Sequence, residues 1–229
     1  MKKTVGMLLL SAALIASNLA VTNQSIAKTI KLCDGFAPPN DLKIPYVKGM
    51  VMEGMDEATF NRAIDDFEKV FIPIVKNHGA ALKIARKWTD ATVNSDTTES
   101  GKTWTINAYG GLARFKGMNY DGYLAVLGHE LGHHLGGYPK IGGIFGASWA
   151  SNEGQSDYYA TMKALRMLFK DVDNSTIVST MSIPALVTDQ CALQHKSESE
   201  IALCKRSSMA GLLLAGVLND LGRGSSPVK

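Results

Sequence analysis

Two histidines four residues apart, His129 and His133, enclose a single carboxylate in the run Gly128-His129-Glu130-Leu131-Gly132-His133. Residues four apart share one face of an α-helix, so both imidazoles can reach one ion about 2.0–2.1 Å away. Glu130 is offset by one residue. That offset suits contact with a metal-bound water, as a general base, rather than with the metal itself. Chance produces such a pattern in a chain of this length on the order of half a percent of the time, so a second feature is needed.

Two histidines leave a zinc site one ligand short. One group of zinc proteases takes a further His six residues beyond the second, but Pro139 stands at that position here. His134 cannot substitute, because one residue along a helix turns it about 100° off the metal face; it is expected to pack or lie at the surface. Downstream, Glu153 and Asp157 lie one turn apart on one face of a second helix. Glu153 is expected to complete the ligand set for one Zn2+. Asp157 is expected to accept the spare N–H of a ligand histidine, which fixes the tautomer and the ring orientation.

With both motifs in view, the sequence resembles the gluzincin group of zincin metallopeptidases, the thermolysin-like branch in particular. There too a ligand Glu follows the first His after 24 residues, with an Asp four further on, as in Asn152-Glu153-Gly154-Gln155-Ser156-Asp157. The first motif is also similar to that of a second type of envelope metallopeptidase, and small secreted zincin-like proteins of Gram-negative bacteria are the nearest match. Asn107-Ala108-Tyr109 is similar to the Asn-Ala-aromatic edge strand that pairs with substrate backbone in the gluzincins. The resemblance covers about residues 103–165. It implies peptide-bond hydrolysis, with substrate contacts at Asn107 and Ala108. It also implies a Tyr and a His that steady the oxyanion: His195 is the downstream His, and Tyr138, Tyr158 and Tyr159 stand near the motifs.

These residues need elements to hold them. Asp56 reads as the cap of a helix in which Phe60, Ile64, Phe67, Phe71 and Ile74 recur at spacings of three and four, with Pro73 kinking its last turn and Gly79 ending it. Strands are expected around Leu82 and Ile84, over Trp88–Val93 and over Thr103–Tyr109, with Ser95–Gly101 as a polar turn. Asn119 is a suitable N-cap for a metal-binding helix from about Tyr120 to Leu135, closed by Gly136-Gly137. Further helices are expected over about Asn152–Phe169 and Ser207–Leu221. Residues 171–190 have no readable pattern. Trp88, Trp104 and Trp149 are expected in the core. The order predicts an α+β, zincin-like fold: a small N-terminal sheet, the metal helix, then a helix bearing the third ligand.

The remaining composition bounds the setting. Of the 229 residues, 1–27 read as a signal peptide: Lys2 and Lys3, an uncharged apolar stretch, then Ser25-Ile26-Ala27 before the cut. Residues 28–229 are then one domain. Removing two lysines and no acid lowers the formal charge from +3 to +1, which lacks the footprint of a nucleic-acid binder. No long apolar run follows Ala27, so no stable membrane insertion is expected after signal removal. Cys33, Cys191 and Cys204 fit an exported, periplasmic or extracellular chain, and Cys191 and Cys204 could close a short loop, or Cys33 could pair with either. The partner expected is a peptide or protein substrate. Two other readings remain open, a zinc-stabilised binding module without catalysis and a hydrolase of cell-wall peptide cross-links.

Overall fold

The computed structural model describes residues 35–49, 53–141 and 148–222. The expected signal peptide, Cys33 and the terminal residues 223–229 lie outside the described residues, as does most of the glycine loop before Trp149.

Helix α1 spans Glu57–Asn77, and the Asp56 side chain caps it by accepting the Thr59 N–H at 2.8 Å. Its stripe of Phe60, Ile64, Phe67 and Phe71 is fully buried. Burying four such side chains contributes roughly 1.5–3 kcal/mol each. Pro73 lies inside the helix, which runs on to Asn77 before Gly79 turns the chain with a positive φ.

Three strands follow: β1 over Ala81–Lys87, β2 over Ser95–Ser100 and β3 over Thr103–Tyr109. Their order is β1-β3-β2, with β1 parallel and β2 antiparallel to β3. The strand count matches the expectation, but one strand lies elsewhere. Trp88–Val93 is not a strand; the chain turns there, and Thr92 makes a single bridge with Lys43. The segment read as a polar turn is β2. It escaped notice because its buried face is hydrophilic: Ser95 Oγ donates to Asn107 O and Thr97 Oγ1 to Thr105 O. Alternating hydrophobicity cannot flag a strand whose inward side chains bond to its neighbour's backbone.

A short helix α2, Gly110–Ala113, leads to α3, Tyr120–Leu135, whose cap Asn119 accepts the Gly122 N–H at 2.9 Å. Every α3 residue from Asp121 to His134 is buried, which makes α3 the central pillar. Helix α4, Glu153–Tyr159, passes through a π-helical turn, Ala160–Ala164, into α5, Leu165–Phe169. Residues 171–190, unreadable from sequence, carry α6 (Asn174–Ser179) and the start of α7 (Ala185–Gln194). The final helix α8, Glu198–Gly222, begins nine residues before its expected start, and Cys191–Cys204 ties α7 to α8. Contrary to expectation, α8 is long and apolar enough to cross a membrane by length and composition, with a mean hydropathy of 1.5 in its most apolar window. In the fold it packs on α3, and its buried Arg206 forms a two-pronged pair with Asp121 at 2.7 and 2.9 Å. The architecture is α+β, a small three-stranded sheet with helices predominating.

Candidate metal centre

Glycines decide how closely the two motif helices approach. A Cβ on Gly132 would stand 2.7 Å from the Ser156 Cα, and one on Gly128 would stand 3.0 Å from the Ala164 Cβ. With hydrogen at both positions, α4 and the π turn settle directly onto α3. That contact delivers Glu153 to the imidazoles. Nε2 of His129 lies 3.0 Å and Nε2 of His133 lies 3.7 Å from Glu153 Oε2, and one ligand atom from each of the three residues falls within 4.8 Å of the others.

The far side of each ring is fixed. His129 Nδ1 sits 2.8 Å from Asp157 Oδ1, the contact expected of Asp157. His133 Nδ1 sits 2.9 Å from Ser151 O, with Ser156 Oγ at 3.1 Å. Protons on both Nδ1 atoms turn both Nε2 lone pairs toward Glu153. The Ser151 carbonyl had no signal in the sequence, because a backbone acceptor is anonymous there. Its segment is anchored: Ser151 N donates to His133 O at 2.7 Å, and Lys140 Nζ donates to Ser151 Oγ at 2.9 Å and to the His134 carbonyl at 3.1 Å. A cation at the C-terminus of α3 also meets the negative end of the helix dipole.

His134 is a packing residue, as expected, but of a specific kind. Its ring is stacked between Trp104 and Trp149, each with a centroid 4.5 Å away, and its Nε2 meets Thr97 Oγ1 at 2.9 Å. Burial, with His133 and Lys140 nearby, holds it neutral, down to about 3. Trp104 and Trp149 are therefore only half-buried, whereas Trp88 is in the core as expected.

The donor set fits a divalent metal. Burial opposes a charge on His129, yet the Asp157 and Glu153 carboxylates outweigh it and raise the imidazole to about 10. Those carboxylates favour a cation at this point, proton or metal. His129 Nε2 is buried and, among the described residues, its nearest acceptor is the Glu153 carboxylate, with Oε2 at 3.0 Å in poor hydrogen-bond geometry. Among the described residues, two imidazoles and one carboxylate make the set, the number that a catalytic zinc site uses. Exposure is uneven: the Glu153 side chain is 58% exposed and that of Asp157 is 66%, while those of His129 and His133 are 4% and 0%.

Glu130 stands outside the ligand set and is fully buried. Its Oε1 accepts the Phe36 N–H at 3.1 Å, and its Oε2 has no hydrogen-bond partner among the described residues. Burial pushes its carboxyl up to about 8, with His129 opposing and Asp96 and Glu153 adding to the rise. A carboxyl with such a pKa is suited to taking and returning protons near neutral pH.

The expectation for Asn107 and Ala108 needs correction. Strand β3 is central, not an edge: Asn107 pairs with Ala85 on one side and Asp96 on the other, and Ala108 with Arg86 and Ser95. Its backbone has no free side to receive a peptide. The Asn107 side chain instead donates to Asp96 Oδ1 at 2.6 Å, and Tyr109 OH donates to Asp96 Oδ2 at 2.8 Å. The antiparallel edge is β2. Of the oxyanion candidates, Tyr159 is buried in the core, while Tyr138 and Tyr158 are exposed. His195 ends α7 beside Glu200, in a cavity of about 320 Å³ that no metal-site residue lines.

Compared with protein-family models, curated proteins and solved structures, the chain matches none.

Proposed function

We propose that this chain is a secreted zinc-dependent metallopeptidase of zincin-like type, hydrolysing peptide bonds with Glu130 as general base. The observation that carries this reading is the division of labour at the site. His129, His133 and Glu153 converge as ligands, while Glu130 on the same helix stays outside the set as a lone carboxylate. A purely structural zinc site is normally closed by a fourth protein ligand and has no use for such a base.

Zinc, when bound, polarises a substrate carbonyl and lowers the pKa of water to about 7. Asp157 and Ser151 hold the two imidazoles in the tautomer that directs Nε2 inward. Glu130 takes one proton as the water oxygen bonds to the carbonyl carbon. As the C–N bond breaks, Glu130 returns that proton to the leaving nitrogen. Export is consistent with the Cys191–Cys204 disulfide, which suits an oxidising compartment.

A non-catalytic zinc-binding module is the second reading, and the complete burial of Glu130 is the observation in its favour. Zinc content and casein cleavage by the purified mature chain, with and without chelator, separate the two. Bound zinc with chelator-sensitive cleavage supports the peptidase. Bound zinc without cleavage of protein or cell-wall peptides favours the module.

A further inference from the structure

Glu130 is sealed by the chain's own lead-in. The Phe36 N–H is shared between Glu130 Oε1 at 3.1 Å and the Ser95 carbonyl of edge strand β2 at 2.8 Å. Ala37 N donates to Asn94 Oδ1 at 2.8 Å, and the Phe36 ring stands edge-on to the His129 ring at 5.6 Å. Phe36 and Ala37 are both buried. Of the three candidate ligands only the Glu153 side chain is exposed, whereas Glu130 is fully buried beneath Phe36 and Ala37.

We infer that Gly35–Ala37 is a strap occupying the substrate position, an internal pseudo-substrate that must lift before a peptide can reach Glu130. This rests on the hydrolase reading above. It makes at one point the contact that an added strand makes, a main-chain N–H to the carbonyl of a sheet's edge strand, and sets a side chain against the site. The strap therefore also indicates how substrate docks. An extended peptide pairs with β2 at Ser95 in place of Phe36, and presents an apolar or aromatic side chain to the pocket beside His129.

The strap depends on Gly35. Its φ is +107°, and a Cβ there would stand 2.3 Å from Ser95 O and 2.7 Å from Asn94 Oδ1. Gly35→Ala therefore pushes the strap off β2 without substituting a candidate ligand or Glu130. Phe36→Ala removes the ring but keeps the N–H. A ligand that requires the lifted state binds in proportion to its population, so destabilising the closed state raises apparent affinity.

The test uses the zinc-loaded mature chain and the dipeptide hydroxamate Leu-Phe-NHOH as probe, with calorimetry and amide hydrogen exchange as readouts. The hydroxamate should accelerate exchange at the Phe36 amide at least tenfold. Gly35→Ala and Phe36→Ala should each bind it at least tenfold more tightly than the parent, and Gly35→Ala should cleave casein faster. Binding that leaves the Phe36 amide as protected as before would overturn the strap. So would affinities unchanged in both variants, or no binding by any of the three proteins, because displacing the strap would then have opened no cleft. Failure of the hydrolase reading has a different signature: opened variants that bind the hydroxamate tightly and cleave nothing.

Discussion

Replacing Glu130 by glutamine separates metal binding, the proposed base catalysis and titration, three roles that meet at one side chain. The amide is nearly isosteric and its oxygen can still accept the Phe36 N–H, so the strap contact persists. It is not a ligand, so zinc content should be that of the parent. It cannot take a proton from water, and general-base catalysis commonly contributes 10²–10⁴-fold, roughly 3–5 kcal/mol of barrier. Hydrolysis should fall by that factor. Stability should move the other way. In zinc-stripped protein the Glu130 carboxyl is raised from 4.5 to about 8, chiefly by burial. A carboxyl with a raised folded-state pKa contributes stability that is fully present below the unfolded value and lost as pH rises through the folded one. Between pH 5 and pH 9 the parent should therefore lose about 3–5 kcal/mol through this group, at about 1.4 kcal/mol per pH unit. The Glu130→Gln variant has no group to titrate at this position and escapes that loss. Urea unfolding of both zinc-stripped proteins at the two pH values measures the difference. The reasoning fails if both lose stability in parallel, if zinc is lost from the variant, or if the variant is as active as the parent.

Two further predictions concern the frame around the metal. Asp157→Asn keeps the size of the side chain but weakens its hold on His129 Nδ1, so zinc affinity by competition with a chromophoric chelator should fall about 10–100-fold; unchanged affinity would leave the 2.8 Å contact without function. Gly132→Ala places a methyl 2.7 Å from the Ser156 Cα and should cost about 1–3 kcal/mol in thermal or urea unfolding, together with zinc affinity, because α4 carries both Glu153 and Asp157. A variant as stable and as tightly zinc-bound as the parent would show that the helices do not need this approach.

The parts legible in the sequence were those written in side-chain types at helical spacing. Helices α1 and α3 lie where Asp56 and Asn119 placed their starts, and His129, His133 and Glu153 come together as a group that could hold a metal ion, with Asp157 against His129, as expected. The parts that escaped are backbone relations. Strand β2 has a hydrophilic buried face and gave no hydrophobic alternation, so the sheet's true edge was misplaced and Asn107 was mistaken for its rim. Ser151 contributes a carbonyl and Phe36 an N–H, and neither group differs between residue types. The start of α8 was missed because polar Glu198, Ser199 and Glu200 occupy its first turn, where helices commonly carry acids.

The same distinction explains why the metal helix carries glycine at all. Inside a helix each Gly costs roughly 0.5–1 kcal/mol relative to Ala. Gly132 faces α4 at a distance a methyl could not share, a Cβ on Gly128 would stand tightly at 3.0 Å from Ala164 of the π turn, and one on Gly122 would displace the end of the Leu213 side chain of α8 at 2.6 Å. Local propensity is given up at three points along one helix, in each case where another helix must come close. Two of those points lie under the segment that brings in Glu153 and Asp157. The motif read as two histidines and a glutamate is therefore also a packing motif. Its Gly132 sets the depth at which Glu153 arrives, and its histidines reach Glu153 because no side chain separates the two backbones there.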